Sequence, residues 1–557
     1  MWKKQIVKSD ILVIGGGIAG SMAAIAAREN AADVVVADKG YAGKSGASIH
    51  PDIGMAVFDP EWGGDYQACL KAMGEAGKWI SNRPWCEAIL NESKKNYHDM
   101  LSWGIEFPPD EEAYRMYFPP IPHVRIKHRK LAPGIRRQAE RVGARFYDRI
   151  EIVDLLKRGE KVVGAMGFSL DDETIYIFLA KATILSAGSN SFRAGGENCG
   201  ISGDSDAMAY RAGAEITGKE FGSSTFPSMA KYFTWSRTAH GMVNPAYAVF
   251  SDGAGEPLDA VHNSDSIENE WGLNVEKAIH EGRGPIYWDT TKATDKELDF
   301  IRKWQHDTHN AVEYEWADQY MNLCRRGRFE VAGGYAVGFS SVGCSGTRVI
   351  NLDGQTTLPG LFAAGDAGGT LHNGCYNMCP GLGTAPAAVT GRHAGVGAAK
   401  YIAGLQLETP DAESIDAINS RVINILQRKS GFTYNYITRQ LRSIMTPYYV
   451  SLIKDGVRLE SALNLVMFLK NHLVPKLFAK NTHELKMALE TENMVLNAEM
   501  MLRASLFRTE SRGVHFREDY PKADEKNWRA WTVIRADNDR MTVDKIPVPE
   551  GMWDDLS

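Results

Sequence analysis

The chain has 557 residues, of which 44% are hydrophobic and 24% are charged, and its net charge is −6. The length predicts several domains with a large buried core, and the composition excludes a chain that is mostly disordered. The acidic balance argues against a dedicated nucleic-acid-binding protein, because such proteins usually carry a basic domain.

The first predicted elements are a strand, a glycine-rich turn, a helix and a second strand. Residues 11–14 are an apolar run, residues 21–28 are rich in alanine, and residues 33–37 are rich in valine. The turn reads Gly-x-Gly-x-x-Gly and an acid ends the second strand, which singles out Gly15, Gly17, Ile18, Ala19, Gly20 and Asp38. Such glycines let the backbone approach a pyrophosphate at the helix N-terminus, and the acid lies near a ribose. We therefore predict a dinucleotide site.

The uncharged stretch that contains this glycine-rich turn, residues 11–27, is not predicted to cross a membrane. Seventeen uncharged residues lie between Asp10 and Arg28, which is short for a spanning helix, and glycines interrupt them.

The seven cysteines are scattered and none forms a Cys-x-x-Cys pair, so we expect neither a metal site nor an iron–sulfur cluster in this chain. These features favour a cytoplasmic protein without direct membrane insertion.

Two later segments favour FAD over NAD as the dinucleotide. Residues 183–186 are an apolar run that leads to Ala187 and Gly188, and residues 358–364 lead to Gly365 and Asp366. In two-part FAD folds a late strand returns to the nucleotide domain, and its Gly-Asp reaches the ribityl chain of the flavin, whereas a single NAD-binding unit needs only the first motif. The sequence thus predicts an α/β fold with a Rossmann-like, two-part FAD-binding domain.

These motifs resemble the flavoprotein subunits of the succinate dehydrogenase and fumarate reductase superfamily over essentially the full length. The matching stretches are residues 38–39, 45–48, 202–215, 281–287, 365–366 and 508–513. The tail is similar to the α subunit of adenylylsulfate reductase at residues 482–485, 506–508, 519–521, 524–528 and 545–547. The predicted domains are a FAD-binding domain at 1–225 and 336–405, an inserted α+β capping domain at 226–335, and a helical C-terminal domain at 406–557.

The resemblance also implies which residues contact the flavin. Beyond the glycine-rich turn, these are Lys39, Ser45, Gly46, Ala47 and Asp204, together with Gly383 and Thr384 at a predicted helix N-terminus. Covalent members of the superfamily link FAD to a histidine directly after the serine that matches Ser45. That position is Gly46 here, and His50 is interpreted as a polar neighbour of the flavin, so we expect non-covalent FAD.

The substrate end of the chain departs from the same relatives. Residues 220–227 lack the histidine of fumarate reductases, and Leu273 aligns with their proton-donating arginine. Tyr335 stands where adenylylsulfate reductases carry a substrate-facing histidine, and Trp271 falls near their nucleotide-binding arginine. We therefore expect the protein to keep the scaffold of these relatives and to act on a different substrate.

Four residues are candidates for catalysis. Tyr335 is interpreted as a general acid, Asp52 as a proton carrier near the flavin N5 edge, and His372 as a flavin or substrate contact. Arg129 is interpreted as pointing toward an anionic substrate. The basic residues Arg136, Arg137 and Arg141 that follow it fit either a docking site for an acidic electron-transfer partner or a solvated helix face.

The predicted function is an FAD-dependent oxidoreductase that moves hydride between flavin N5 and a small anionic or carbonyl-bearing substrate. The resemblance implies that the electron partner is a ferredoxin-like iron–sulfur protein, and a homo- or hetero-oligomer is possible in this superfamily. The alternatives are adenylylsulfate reductase or fumarate reductase-type activity, a self-contained flavin oxidase, and a non-enzymatic electron carrier. The retained capping region favours an enzyme over a carrier.

The first prediction concerns the attachment of FAD. Because Gly46 offers no linking side chain, acid or heat denaturation is expected to release all of the flavin into the supernatant. Absorbance of the supernatant and of the washed precipitate measures this directly. Flavin that stays with the precipitated polypeptide would contradict non-covalent binding.

Overall fold

A computed structural model describes residues 2–49, 54–109, 120–127, 129–193, 200–221, 249–258, 268–299, 326–331, 344–372, 374, 383–537 and 540–556. In chain order, the strands are β1 (Lys3–Lys8), β2 (Ile11–Ile14), β3 (Val34–Asp38), β4 (Met55–Ala56), β5 (His123–Val124), β6 (Arg145–Asp148), β7 (Ile150–Arg158), β8 (Lys161–Ser169), β9 (Thr174–Leu179), β10 (Ala182–Leu185), β11 (Ile216–Thr217), β12 (Val249–Ser251), β13 (Ile286–Asp289), β14 (Arg328–Val331), β15 (Gly346–Arg348), β16 (Leu361–Ala363), β17 (Gly368–Gly369), β18 (Ile453–Lys454), β19 (Phe516–Arg517), β20 (Ala530–Asp537) and β21 (Arg540–Pro547).

The helices surround these strands and dominate the second half of the chain. They are α1 (Ile18–Glu29), α2 (Tyr66–Ala76), α3 (Arg83–Ser102), α4 (Leu131–Arg141), α5 (Asp204–Ala212), α6 (Glu268–His280), α7 (Thr384–Tyr401), α8 (Ala412–Gln427), α9 (Tyr434–Met445), α10 (Tyr448–Ser451), α11 (Gly456–Phe468), α12 (Thr482–Phe507) and α13 (Glu525–Trp528). No helix among the described residues is both long and apolar enough to span a membrane.

A five-stranded parallel sheet forms the centre of the nucleotide-binding part. Its strand order is β16, β10, β2, β3 and β6, and every neighbouring pair is parallel. All residues of β2, β10 and β16 are buried, as expected for parallel strands covered on both faces. The predicted strands at 11–14, 33–37, 183–186 and 358–364 therefore all belong to one sheet.

Helix α1 packs closely against α7, which comes from the late part of the chain. A Cβ atom at Gly391 or Gly395 would lie 2.3 Å from the carbonyl oxygen of Ala19 or Ala23, respectively. The two helices can approach this closely only because those positions carry no side chain. The contact fastens the two sequence-distant parts of the nucleotide-binding domain to each other.

A second, mostly antiparallel sheet has the order β1, β9, β8 and β7. It contains a hairpin in which β8 and β9 pair antiparallel from Gly164↔Leu179 to Phe168↔Ile175. Residues 249–331 contribute a separate antiparallel sheet with the order β12, β13 and β14, beside which α6 lies.

The C-terminal part is helical through Phe507 and then returns to the nucleotide-binding part as a hairpin. Strands β20 and β21 extend a sheet of the order β17, β15, β11, β20 and β21, which joins residues from sequence-distant parts of the chain. This hairpin was not predicted from the sequence. The helices α8, α9, α11 and α12 share a second apolar core.

Candidate active site

The predicted glycine-rich turn lies where β2 ends and α1 begins. Gly15 has a φ of +100°, and a Cβ atom there would lie 2.5 Å from the carbonyl oxygen of Ser186 at the end of β10. Its amide donates to the carbonyl of Ala37 at the end of β3, at 2.8 Å. The carboxyl ends of three parallel strands thus meet at this turn, which is where open α/β sheets bind their ligands.

The N-terminus of α1 is open to an acceptor from outside the helix. The amide of Ile18 donates to Ser48 Oγ at 3.1 Å, and a Cβ atom at Gly17 would lie 2.8 Å from that same oxygen. A pyrophosphate oxygen is an acceptor of the same kind, and the dipole of α1 favours its negative charge. The backbone around Gly17 therefore fits the phosphates of a dinucleotide.

Asp38 ends β3 and faces the same turn. One carboxylate oxygen accepts from the amide of Gly16 and the other from the amide of Gly40, both at 2.7 Å. Ser45 Oγ lies 3.3 Å from the second oxygen. The carboxylate is thereby oriented at the strand end where the sequence predicts a ribose contact. The next predicted flavin contacts follow at once, with Gly46 exposed and Ala47 opening a short 3-10 turn.

Lys39 connects the nucleotide-binding part to the helical part. Its ammonium donates to Asp204 Oδ2 and Glu490 Oε1, both at 2.7 Å, and to Ser202 Oγ at 2.8 Å. Asn493 donates to the other oxygen of Asp204 at 2.8 Å. Burial works against ionisation of Asp204, but the charge of Lys39 and these hydrogen bonds outweigh it and lower the pKa of the carboxyl to about 2.

The predicted pair Lys39 and Asp204 is therefore brought together, and two residues of α12 complete the cluster. Glu490 and Asn493 were not predicted from the sequence. Their only local signal is the presence of polar residues at 490, 493 and 497 in a helix that is largely buried. The structure leaves all three of these side chains at most 2% exposed.

Glu151 on β7 is a third buried carboxyl beside Asp204 and Glu490. Oxygen atoms of the three residues all lie within 4.8 Å of one another. The described residues provide no hydrogen-bond partner for Glu151 Oε2, and burial together with the charge of Asp204 raises the pKa of Glu151 to about 7. A metal ion is not needed to hold these carboxylates, because the Lys39 ammonium already bridges two of them.

The remaining predicted flavin contacts lie at the ends of β10 and β16 and at the start of α7. The Ala187 amide donates to Ser205 Oγ at 3.2 Å, and Gly188 has a φ of +76°. Gly365 has a φ of +61° and donates to Thr390 Oγ1 at 2.9 Å, and Asp366 follows it half-buried. Gly383 and Thr384 begin α7, as predicted from the sequence.

His372 is buried just beyond the Gly365–Asp366 segment, against Thr217 and Trp531, and we call these surroundings the His372 pocket. Its ring is stacked on the indole of Trp531 with centroids 4.4 Å apart and planes 19° apart. Burial, with the nearby charge of Arg348, lowers the pKa of the imidazole to about 3. Trp531 comes from the C-terminal hairpin, so the surroundings of His372 could not be read from local sequence.

The basic stretch after residue 124 divides into residues that serve the fold and residues that face solvent. Arg136 pairs with Asp148 at 2.8 Å and donates to the carbonyl of Ala42 at 2.9 Å, so it holds α4 against the sheet. Arg129, just before α4, is exposed, and so are Arg137 and Arg141. Asp52 and Tyr335 lie outside the described residues.

Family models match two regions of the chain. Residues 10–232 match the FAD binding domain, and residues 438–552 match the fumarate reductase flavoprotein C-terminal region. Together they cover more than half of the chain. The glycine-rich turn, Asp38 and Asp204 belong to the first match, and the α12 residues belong to the second.

Full-length relatives carry names from the same group. A FAD-dependent oxidoreductase of Methanocaldococcus jannaschii is 26% identical, with 95% of this chain and 97% of that protein covered. One subunit of the fumarate reductase (CoM/CoB) of Methanothermobacter marburgensis is 25% identical, with 93% and 96% covered. An L-aspartate oxidase of Yersinia pestis is 26% identical, with 92% and 96% covered.

Solved structures show the same fold. The adenylylsulfate reductase of Archaeoglobus fulgidus has a TM-score of 0.82 at 20% identity, covering 99% of this chain and 97% of that one. The E. coli quinol fumarate reductase flavoprotein has a TM-score of 0.80 at 16% identity, covering 98% and 97%. The chain is an FAD-dependent oxidoreductase of the succinate dehydrogenase and fumarate reductase flavoprotein superfamily, which confirms the predicted fold class and cofactor.

Substitution of Gly17 tests the phosphate site. Gly17→Ala is expected to weaken FAD binding by on the order of 100-fold, or about 3 kcal/mol, because a Cβ atom would block the close approach of the pyrophosphate. The affinity of apoprotein for added FAD, followed by quenching of flavin fluorescence, measures the loss.

The same substitution in a Ser48→Ala background is the matched control. It removes the serine oxygen that lies nearest to the added Cβ atom. If that double variant regained wild-type affinity, the defect would be a clash with Ser48, and the phosphate assignment of Gly17 would be wrong.

Substitution of Glu151 tests the buried acidic cluster. Because the pKa of Glu151 is higher in the folded than in the unfolded chain, its protonated form stabilises the fold, and this stability is lost as pH rises from the ordinary glutamate pKa of 4.5 to about 7. Glu151→Gln is therefore expected to stabilise the protein at about pH 8 by roughly 1–3 kcal/mol and to have little effect at about pH 4. Thermal melts at the two pH values measure this.

Glu173→Gln is the control for this comparison, since Glu173 is an exposed carboxylate in the turn between β8 and β9. It is expected to leave both melting temperatures unchanged. An equal shift of the Glu151→Gln variant at both pH values would show that folding does not raise the pKa of Glu151.

Proposed function

We propose that the protein transfers hydride between FAD and a small anionic or carbonyl-bearing substrate, and exchanges electrons with a ferredoxin-like iron–sulfur subunit. The observation that carries the proposal is that the ends of β2, β3 and β10 meet around Gly15 and that the buried His372 follows the end of β16. Bound FAD would supply the hydride exchange, through its N5 atom. The residues of this chain supply binding, orientation and charge.

Each described site residue is proposed to have one role. The backbone around Gly17 at the start of α1 binds the pyrophosphate, and Asp38 binds the adenosine ribose. Lys39, held by Asp204 and Glu490, fixes the start of the loop that leads to Ser45, where the segment proposed to run beside the flavin begins. Arg129 attracts an anionic substrate from its exposed position before α4.

The proton for the substrate comes from groups that the sequence places near the flavin. Tyr335 is the proposed general acid and Asp52 the proposed carrier at the N5 edge, and both remain assignments by resemblance. General acids typically contribute ~10²–10⁴-fold to a rate. The neutral His372 is proposed to contact the flavin or the substrate and not to act as the acid.

The partner is proposed from two considerations. The relative from Methanothermobacter marburgensis is named as one subunit of its enzyme, which is a name for part of an assembly. In the present sequence no Cys-x-x-Cys pair offers cluster ligands, so an iron–sulfur cluster would come from another chain. A self-contained oxidase is the second candidate, because the Yersinia pestis relative is named L-aspartate oxidase.

Anaerobic half-reactions test the proposed chemistry. The purified enzyme is photoreduced and mixed with fumarate, adenylyl sulfate, iminoaspartate or a panel of small ketones, while the flavin absorbance is recorded. Rapid reoxidation by one class names the substrate class, and reoxidation by dioxygen alone at turnover rates would instead favour the oxidase. Reduced flavin that no member of the panel reoxidises would contradict the proposal.

Charge reversal tests the proposed docking of the partner. Arg137→Glu with Arg141→Glu is expected to slow electron transfer with the iron–sulfur partner several-fold at low salt and little at high salt, because exposed charges are screened. Rates with a dye acceptor are expected to stay unchanged.

Lys429→Glu serves as the control, since Lys429 is an exposed cation on the helical part of the chain. It is expected to leave the rates with both acceptors unchanged. If the double variant slowed the dye reaction as much as the partner reaction, the two arginines would support the fold or the substrate site and not docking.

A further inference from the structure

The hydroxyl of Thr217 determines which nitrogen of His372 carries the proton. Thr217 Oγ1 donates to the carbonyl oxygen of Thr532 at 2.7 Å, and it lies 3.3 Å from His372 Nδ1. A hydroxyl has one proton, and a carbonyl oxygen can only accept, so that proton points to Thr532. Toward His372, Thr217 can then only accept, and Nδ1 has to be the donor.

A neutral imidazole with a proton on Nδ1 has a lone pair on Nε2. His372 is 3% exposed, and its burial and the charge of Arg348 keep the pKa of the ring far below neutral. The ring is therefore uncharged over the physiological pH range, and Nε2 is an acceptor in all of it. This form of histidine cannot make an ion pair with a carboxylate.

Trp531 fixes the orientation of the same ring. The stacking of the two rings prevents rotation of the imidazole out of its plane. The indole is itself held, because its Nε1 donates to the carbonyl of Ile80 at 2.6 Å. Trp531 and Thr532 are neighbours on β20, which pairs with β11 at Thr217↔Val533. The pair of strands β11 and β20 thus supplies both the ring on which His372 stacks and the hydroxyl that determines its tautomer.

We propose that Thr217 and Trp531 are positioning residues that hold His372 in its Nδ1–H form, so that Nε2 accepts a hydrogen bond from a donor group on the bound ligand. The placement of His372 beside the ligand rests on the proposed function. The donor is an O–H or N–H group, which either a hydroxyl-bearing substrate or the N3–H group of the flavin provides. The carboxylate of an anionic substrate is then bound by other groups, such as Arg129.

The tautomer itself is tested by nitrogen-15 spectroscopy of the holoenzyme labelled at histidine. Proton-bearing and lone-pair nitrogens have well-separated shifts, and the His372 signal is the one that disappears in His372→Gln. The expected pattern is a protonated Nδ1 that does not titrate between about pH 6 and about pH 9. A protonated Nε2, or a titration in that range, would overturn the proposal whether or not the proposed reaction is correct.

Substitutions at Thr217 test the cause. Thr217→Val removes the acceptor for Nδ1–H and is expected to populate the Nε2–H form, whereas Thr217→Ser keeps the hydroxyl and the wild-type pattern. Thr183→Val is the matched control, because Thr183 is a buried threonine on β10 whose hydroxyl has no hydrogen-bond partner among the described residues. A wild-type histidine pattern in Thr217→Val would overturn the assigned role of Thr217.

Two binding measurements locate the donor. Loss of the Nε2 acceptor is expected to weaken the binding of one ligand about 10-fold, which is the contribution of about one hydrogen bond. Weaker binding of FAD to Thr217→Val apoprotein assigns the donor to the flavin. Unchanged FAD affinity with a slower half-reaction assigns it to the substrate, and recovery by Thr217→Ser is expected in either case.

Trp531→Phe keeps a stacking ring and is expected to preserve the tautomer. Wild-type FAD binding and half-reaction rates in Thr217→Val would overturn the proposal.

Discussion

The ammonium of Lys39 is the interaction on which the arrangement of the site depends. It bonds the end of the nucleotide-binding sheet to Asp204 at the start of α5 and to Glu490 in the middle of α12. Moving a charged group from water into the protein interior costs several kcal/mol, and this cost is offset only when the group pairs with an opposite charge. The pairing of Lys39 with both acids therefore favours one relative position of the helical part of the chain and the nucleotide-binding part.

Helix α12 extends this constraint along its length. Its polar side chains at Asn493 and Asn497 bond Asp204 and the carbonyl of Gly203, at 2.8 and 3.0 Å. Asn497 also accepts from Lys219 at 2.9 Å, and Lys219 pairs with Asp206. Buried polar residues of this kind contribute less to stability than to specificity, since each one has to be satisfied by a particular partner. The segment that leads from Lys219 toward residue 222 is thereby fixed at its start.

The parts of the fold that could be predicted are those whose signals are local. The strand at Ile11–Ile14, the glycine-rich turn and Asp38 lie within one stretch of chain, and their periodicity and turn chemistry determine a βαβ unit. The hairpin of β8 and β9 is local in the same way. The family resemblance added Lys39 and Asp204, which the structure brings together.

The parts that could not be predicted depend on contacts between distant residues. Glu490 is 451 positions from Lys39 in the sequence, and no local pattern reports that pairing. The hairpin of β20 and β21 was missed because its strands alternate only weakly between buried and exposed residues, and its pairing partner β11 is only two residues long. The stacking of Trp531 on His372 follows from that pairing and was missed with it.

The dependence of the His372 pocket on β20 has a consequence for folding. Ile80, Thr217, His372 and Thr532 meet there, and the hydrogen bond between Thr217 and Thr532 spans 315 positions of the sequence. Closing so long a loop is entropically costly and slow, so this pocket belongs to the high-contact-order part of the molecule. During synthesis, nearly the whole polypeptide has to leave the ribosome before the pocket can form. A partly made chain therefore contains the glycine-rich turn but no His372 pocket.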